Sequence, residues 1–224
     1  MTAIAMAPPL VVPPAATKED PLEGAAVIYP STRIAISGKA GSGKTSMARR
    51  LVANFGFERF SFAGRLREEL ASTLGISLVE FEFDKARWRF LMQEWGLARR
   101  CVAPGYWIRK LLVRLPVDRG KRVVVDDLRF YNEAMALKRD GFVLVRLDCP
   151  SSESLLYIEQ TIAERAGEPF PDARGRAEAM LTNTHQSETD LDDYGEFDIH
   201  IDAQRSRSLD DIYADLVRAL GLTA

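Results

Sequence analysis

Apolar and polar residues follow two alternating periods along the chain, which predicts strands interleaved with helices. Short apolar runs predict buried strands, such as RIAIS (33–37) and KRVVVDD (121–127), and apolar residues at helical spacing follow, as in KTSMARRLVANF (44–55). Further strands are predicted at 57–63, 142–148 and 196–202, and helices at 64–75, 132–141, 151–167 and 208–220, with two helical pieces over 84–115 broken at 103–105. This alternation predicts an α/β fold with a central parallel sheet covered on both faces.

The N-terminal segment differs in composition from the rest. Residues 1–30 hold six of the eleven prolines, which predicts an extended or disordered leader before a domain at 31–224. The net charge of −2 gives no overall preference for nucleic acid or membrane, and no apolar run is long enough to span a bilayer. Cys101 and Cys149 have no metal-binding spacing, which fits a cytoplasmic protein.

The first predicted strand is followed by a phosphate-binding pattern. The pattern G-x-x-x-x-G-K-[ST] is matched without a gap by Gly38-Lys39-Ala40-Gly41-Ser42-Gly43-Lys44-Thr45. Its glycines let successive N–H groups point at phosphate oxygens, and the following helix adds its positive N-terminal end. Lys44 is expected to reach the β- and γ-phosphates and the Thr45 hydroxyl to bind Mg²⁺. The sequence thus predicts a P-loop that binds ATP with Mg²⁺.

Two carboxylates end the buried strand VVVDD. Because ligands lie beyond the carboxyl ends of parallel strands, Asp126 and Asp127 are expected to face the phosphates. One of them is expected to hold Mg²⁺, with Asp126 favoured and Asp127 nearly equal, while the other caps a helix. Arg129, two residues on, is in reach of an acceptor phosphate.

Positive charge concentrates between residues 85 and 122. This stretch contains eleven Lys or Arg, two acids and all three tryptophans. Cations interleaved with aromatic rings suit a ligand that has a phosphate and a base, so the stretch is a candidate acceptor site. A solvated basic helix face is the alternative for most of these residues.

A polar stretch rich in proline and glycine, GEPFPDARGR (167–176), separates two helical pieces. It is typical of a mobile lid, in which Arg165 and Arg174 would approach a transferring phosphoryl group, and also of an ordinary surface loop.

Together, these pieces resemble one family over roughly residues 32–220. The resemblance lies in the P-loop, SFAGRLREELA, RFLMQEWGLARR with YWIRKLL after it, VVVDDLRFYNEAMALKRDGFVLVRLD, and HQSETDLDDY before FDIHI. These segments are similar to the bacteriophage deoxynucleoside monophosphate kinases, relatives of adenylate kinase. The resemblance implies a P-loop NTPase three-layer fold, ATP and Mg²⁺, a deoxynucleoside monophosphate acceptor, an acceptor-binding insert (about 64–118) and a lid (about 160–190). It further implies that the acceptor is held by Arg67, Arg129, Arg99 or Arg100, Gln93 and Trp107.

A second group of phage P-loop kinases is also similar and phosphorylates 5-hydroxymethyluracil bases within DNA. A monophosphate acceptor is largely ionised at neutral pH, since its second pKa is about 6, and needs no general base. A hydroxymethyl acceptor keeps its proton until transfer, so a positioned carboxylate such as one of the Asp pair would have to accept it. A P-loop switch ATPase is the third alternative. The sequence favours the free monophosphate as substrate, in the host cytoplasm if the protein is phage-encoded, and leaves DNA possible.

Overall fold

The computed structural model of the chain describes residues 32–83, 85–150, 155, 158–160, 174–175, 178, 185–204 and 206–223. The expected leader, Arg165 and most of the expected lid lie outside these residues.

Five strands form one parallel sheet in the order β2-β3-β1-β4-β5. The strands are β1 (Arg33–Ser37), β2 (Glu58–Phe60), β3 (Val123–Val125), β4 (Val143–Asp148) and β5 (Ile199–Asp202). The helices are α1 (Lys44–Phe55), α2 (Phe62–Leu74), α3 (Leu78–Phe83), α4 (Lys85–Val102), α5 (Tyr106–Leu112), α6 (Tyr131–Arg139), α7 (Gln186–Thr189) and α8 (Leu209–Ala219). The predicted α/β fold class, a parallel central sheet with a P-loop after one strand and helices on both faces, is confirmed.

Successive side chains of β1 point to opposite faces of the sheet, and each face is covered by its own part of the core. Ile34 and Ile36 pack with residues of α1 and α8, whereas Ala35 packs with residues of α2, α5 and α6. β1 and β3 are completely buried, which explains why residues 34–36 and 123–125 read as continuous apolar runs. Of the helices that the structure describes, none is both long and apolar enough to cross a membrane.

The strand order places the loops that leave β1 and β3 side by side. β1 lies between β3 and β4, and from it the chain passes first to the β2–β3 side and later to the β4–β5 side. The carboxyl ends of adjacent parallel strands meet at one edge, where such a reversal of direction opens a crevice. The P-loop and the residues after β3 therefore share this edge.

Candidate active site

The loop between β1 and α1 has the backbone conformation that its glycines predict. Gly38, Gly41 and Gly43 have φ values of 151°, 76° and 89°, a range that favours glycine. At Gly38 a side chain has no room, because a Cβ atom would lie 2.5 Å from Ser42 Oγ and 2.8 Å from the Leu147 carbonyl oxygen. Helix α1 begins directly after Gly43, so its N-terminal N–H groups face the loop. The loop therefore offers backbone donors to an anion.

Lys44, the first residue of α1, turns its ammonium group into this loop. Its Nζ donates hydrogen bonds of 2.6 Å to the carbonyl oxygens of Gly38 and Lys39. Burial lowers the pKa of Lys44 from 10.5 to about 7, and the positive charge of Arg129 acts in the same direction. Phosphate oxygens beside the ammonium would favour its charged form and raise this pKa again.

Asp126 faces the P-loop. Its Oδ2 accepts a hydrogen bond of 3.0 Å from the Thr45 hydroxyl and lies 2.7 Å from an Arg59 guanidinium nitrogen. Its Oδ1 is buried and has no hydrogen-bond partner among the described residues. A hydroxyl and a carboxylate beside a phosphate-binding loop fit Mg²⁺, which prefers oxygen ligands and completes its shell with phosphates and water. The described residues contain no group of three or more His, Cys, Asp or Glu placed so that it could hold a metal ion.

Asp127 points to the start of α2 instead. Its carboxylate accepts hydrogen bonds from the Ser61 hydroxyl (2.8 Å) and from the backbone N–H groups of Phe62 (3.0 Å) and Ala63 (2.7 Å). Burial and the adjacent charge of Asp126 raise the pKa of Asp127, against the effect of these hydrogen bonds. The two neighbouring carboxylates therefore have different partners, and only that of Asp126 contacts a P-loop residue.

A small cavity opens beside the P-loop and contains a buried carboxylate. Glu188, on α7, lies with Oε1 2.6 Å from Arg129 Nη1 and 3.4 Å from Arg89 Nη2. Arg129 also donates to the Ser187 carbonyl oxygen at 3.2 Å. The cavity is lined by Ser37, Gly38, Lys39, Leu128, Arg129, Arg146, Ser187, Glu188 and Leu191. Arginines from separate segments thus meet next to the phosphate-binding loop.

Sequence reasoning did not name Arg146, Arg89 or Glu188. Arg146 lies on β4 directly opposite Ser37, the last residue of β1, and donates to the Ser37 hydroxyl at 3.1 Å. Its charge contributes to the lowered pKa of Lys44. An arginine inside an otherwise apolar strand was the available signal, because charged residues are rarely buried without a partner or a function.

Two of the expected acceptor residues form ion pairs within the protein. Arg99 donates to Glu69 at 2.7 Å, and its guanidinium lies 4.9 Å from the centre of the Trp95 ring. Arg100 donates to the buried Glu133 at 2.7 Å. Burial raises the pKa of Glu133 to about 7 despite the opposing charge of Arg100. Both arginines therefore connect α4 to neighbouring helices.

Trp107, expected to contact the acceptor, lies in the core of the protein. Trp107 is 1% exposed and donates from Nε1 to the Gly96 carbonyl oxygen at 3.1 Å. Its ring belongs to the core and leaves no face for a ligand, because the apolar side of α5 packs against α2 and α4. Gln93 on α4 and Arg67 on α2 are partly buried, and their expected roles in binding the acceptor stay predictions.

Of the two arginines expected in the lid, Arg165 lies outside the described residues. Arg174 is exposed and pairs with Glu178 at 3.0 Å and with Glu159 at 3.8 Å. None of these contacts links Arg174 to the P-loop, so its expected role in transfer remains a prediction.

No protein-family model and no curated protein sequence matches the chain. Solved structures that resemble it include TT1252 from Thermus thermophilus, with 19% identity, coverage of 88% of this chain and 100% of that one, and a TM-score of 0.49. A gluconokinase from Sinorhizobium meliloti 1021 has 20% identity, coverage of 87% and 93%, and a TM-score of 0.46. A shikimate kinase from Bacteroides thetaiotaomicron has 15% identity, coverage of 85% and 98%, and a TM-score of 0.46. Likeness at this level carries no argument about chemistry, and membership of the phage kinase family stays a prediction.

Proposed function

We propose that the chain is an ATP-dependent phosphotransferase that transfers the γ-phosphoryl group of ATP to a deoxynucleoside monophosphate. The observation that carries this proposal is the cavity beside the P-loop, which Arg129 and Arg146 line and where Arg89 pairs with the lining residue Glu188. A P-loop supplies a place for the donor phosphates, and arginines are the side chains best suited to a second phosphate. The more general part of the proposal is that the chain is a P-loop kinase of small molecules. This part does not require the acceptor to be a deoxynucleoside monophosphate.

Each group in the site has a task in this reaction. The loop amides and Lys44 would bind the β- and γ-phosphates, while Thr45 and Asp126 would hold Mg²⁺. The metal, when bound, supplies positive charge to the phosphate oxygens. An oxygen of the acceptor phosphate bonds to the γ-phosphorus as the bond to the β,γ-bridging oxygen breaks, and ADP leaves. Because no proton has to be removed from an ionised phosphate, positioning and electrostatics supply the catalysis.

The hydrogen bonds of Asp127 favour a phosphate acceptor over a hydroxyl acceptor. A hydroxymethyl group in DNA would need a carboxylate to accept its proton. Asp127 accepts hydrogen bonds from backbone N–H groups at the N-terminus of α2, and Asp126 contacts Thr45 and Arg59. Glu188, the carboxylate among the residues that line the cavity, already pairs with two arginines. Transfer to 5-hydroxymethyluracil in DNA is therefore kept as an outcome of the test.

The test is a phosphate-transfer assay with labelled ATP and Mg²⁺. Acceptors would be the common deoxynucleoside monophosphates, 5-hydroxymethyl-dUMP, and duplex DNA that contains 5-hydroxymethyluracil. We expect label on free monophosphates and a kcat lowered by at least about 100-fold in Lys44→Ala, since one donor to the developing charge is worth roughly 3–4 kcal/mol. Label on DNA alone would replace this proposal with the DNA kinase. Label released only as inorganic phosphate would indicate a switch ATPase.

A further inference from the structure

The segment that carries Glu188 is fastened to several parts of the site at once. The Glu188 backbone carbonyl accepts a hydrogen bond of 2.6 Å from Lys39 Nζ in the P-loop. Asp190 accepts from the backbone N–H of Tyr131 at 2.6 Å, at the start of α6. His185 accepts from the Ser187 N–H and so caps α7. The position of the Glu188 side chain is therefore fixed relative to both the P-loop and the segment that holds Arg129.

We propose that Glu188 is a positioning residue that holds Arg129 and Arg89 as a two-armed clamp for the acceptor phosphate, an inference that rests on the proposed function. Arg129 follows β3 and Arg89 lies on α4, so the two guanidinium groups come from segments that are distant in sequence. Glu188 binds both through one carboxylate oxygen, at 2.6 Å and 3.4 Å.

Charge balance explains why a carboxylate is needed at this point. Two guanidinium groups brought together repel each other, and Arg89 is mostly buried, which opposes its charge. The negative charge of Glu188 offsets the free-energy cost of holding these two positive charges together. The Glu188 side chain is only 8% exposed, so it depends on both arginines to stay ionised in its buried position. The three groups together keep a net positive charge, which is what a phosphate dianion requires.

The hydrogen-bond pattern favours a clamp over an internal anion that blocks the site. Within the described part of the chain, Arg129 reaches Glu188 and Ser187 through Nη1, and Arg89 reaches Glu188 through Nη2. A guanidinium group has further N–H donors on its other nitrogens. Each arginine can therefore keep its contact with Glu188 and bind a phosphate oxygen as well. The competing view, in which Glu188 occupies the phosphate position, predicts the opposite effect on affinity.

Calorimetric titration with inorganic phosphate separates the two views. The probe is added to protein saturated with Mg²⁺ and the non-hydrolysable β,γ-imido analogue of ATP, so that the P-loop is already filled. Glu188→Gln keeps the size of the side chain and removes its charge. Arg89→Gln is a second variant, which leaves the pair of Glu188 and Arg129 in place. Glu196→Gln is the matched control, because Glu196 is exposed and pairs with Lys138 instead.

We expect Glu188→Gln and Arg89→Gln each to raise the Kd for phosphate by at least about tenfold, or roughly 1.4 kcal/mol. Affinity for the ATP analogue should change by less than about twofold in Arg89→Gln, a difference that a general loss of structure would not produce. Glu188→Gln also removes a charge that raises the pKa of Lys44, so its affinity for the analogue should fall, but by less than its affinity for phosphate. Unchanged or tighter phosphate binding in Glu188→Gln, or no phosphate binding to the wild-type protein, would overturn the clamp. The proposed function fails separately, if the wild-type protein transfers no phosphate to a monophosphate while this binding pattern holds.

Discussion

The adjacent carboxylates Asp126 and Asp127 should separate activity from stability when each is replaced. Asp127→Ala removes the acceptor of two backbone N–H groups and one hydroxyl at the start of α2. Loss of a helix cap costs about 1 kcal/mol, and a buried donor left without a partner costs about 1–3 kcal/mol. The expected loss is therefore about 2–4 kcal/mol of unfolding free energy, within the range of large single-mutation effects.

Asp126→Asn should have the opposite profile. The Arg59 contact that it weakens is more than a third exposed, so its loss should cost no more than about 1 kcal/mol. The variant also removes the charge that disfavours ionisation of Asp127. Activity should fall by at least about 100-fold at limiting Mg²⁺, because the metal would lose its carboxylate partner beside Thr45.

Urea denaturation gives the free energy of unfolding of both variants, and transfer assays over a range of Mg²⁺ concentration give their activity. At the size of this domain, the loss expected for Asp127→Ala corresponds to a Tm lower by about 4–16 °C. The stabilising role assigned to Asp127 is wrong if Asp127→Ala keeps full stability while it loses activity. It is equally wrong if Asp126→Asn transfers phosphate normally at every Mg²⁺ concentration.

Two further predictions concern buried charges. Affinity for MgATP should fall by up to about tenfold per pH unit above about pH 7. Binding favours charged Lys44, and because its pKa is about 7 in the free protein, Lys44 must take up a proton on binding above that pH. Calorimetry at several pH values tests this, and an equal pH slope in Lys44→Arg would contradict it. Arg100→Ala should cost about 3–5 kcal/mol of unfolding free energy, since the buried Glu133 carboxylate keeps backbone N–H donors but loses its cationic partner. That loss should be larger at about pH 8 than at about pH 5, because a raised folded-state pKa makes stability fall as pH rises through it; equal urea midpoints for Arg100→Ala and wild type would refute it.

The central strands and the P-loop could be predicted because their signals are local. β3 is a continuous apolar run, residues 34–36 of β1 are another, and the loop needs glycine at fixed positions. The predicted strand at 57–63 was too long, since β2 ends at Phe60 and α2 begins at Phe62. Ser61 caps α2 locally through its hydroxyl, and the carboxylate of Asp127 adds an acceptor for the Phe62 N–H from 65 residues further along the chain. Such a long-range contact leaves no local pattern.

The basic segment, residues 85–122, shows why positive charge along the sequence is an incomplete guide to the proposed acceptor site. Arg100 pairs with Glu133 and Arg89 with Glu188, at sequence separations of 33 and 99 residues. A local excess of cations therefore does not measure how much positive charge reaches solvent. Trp107 illustrates a related point, because its 1% exposure shows that an aromatic ring in a basic helix can face the core rather than a ligand.

Strand register places positive charge beside the P-loop independently of the expected lid. Because Ser37 and Arg146 are opposite each other on neighbouring strands, the Arg146 guanidinium lies next to the P-loop whether or not any other segment closes over it. Part of the lowered pKa of Lys44 comes from this fixed charge and from Arg129. Carboxylates such as Glu188 offset only part of the repulsion between the cations of the site, and phosphate ligands would relieve the rest. Ligand binding should for this reason stabilise the folded protein by more than the contacts of the P-loop alone would provide.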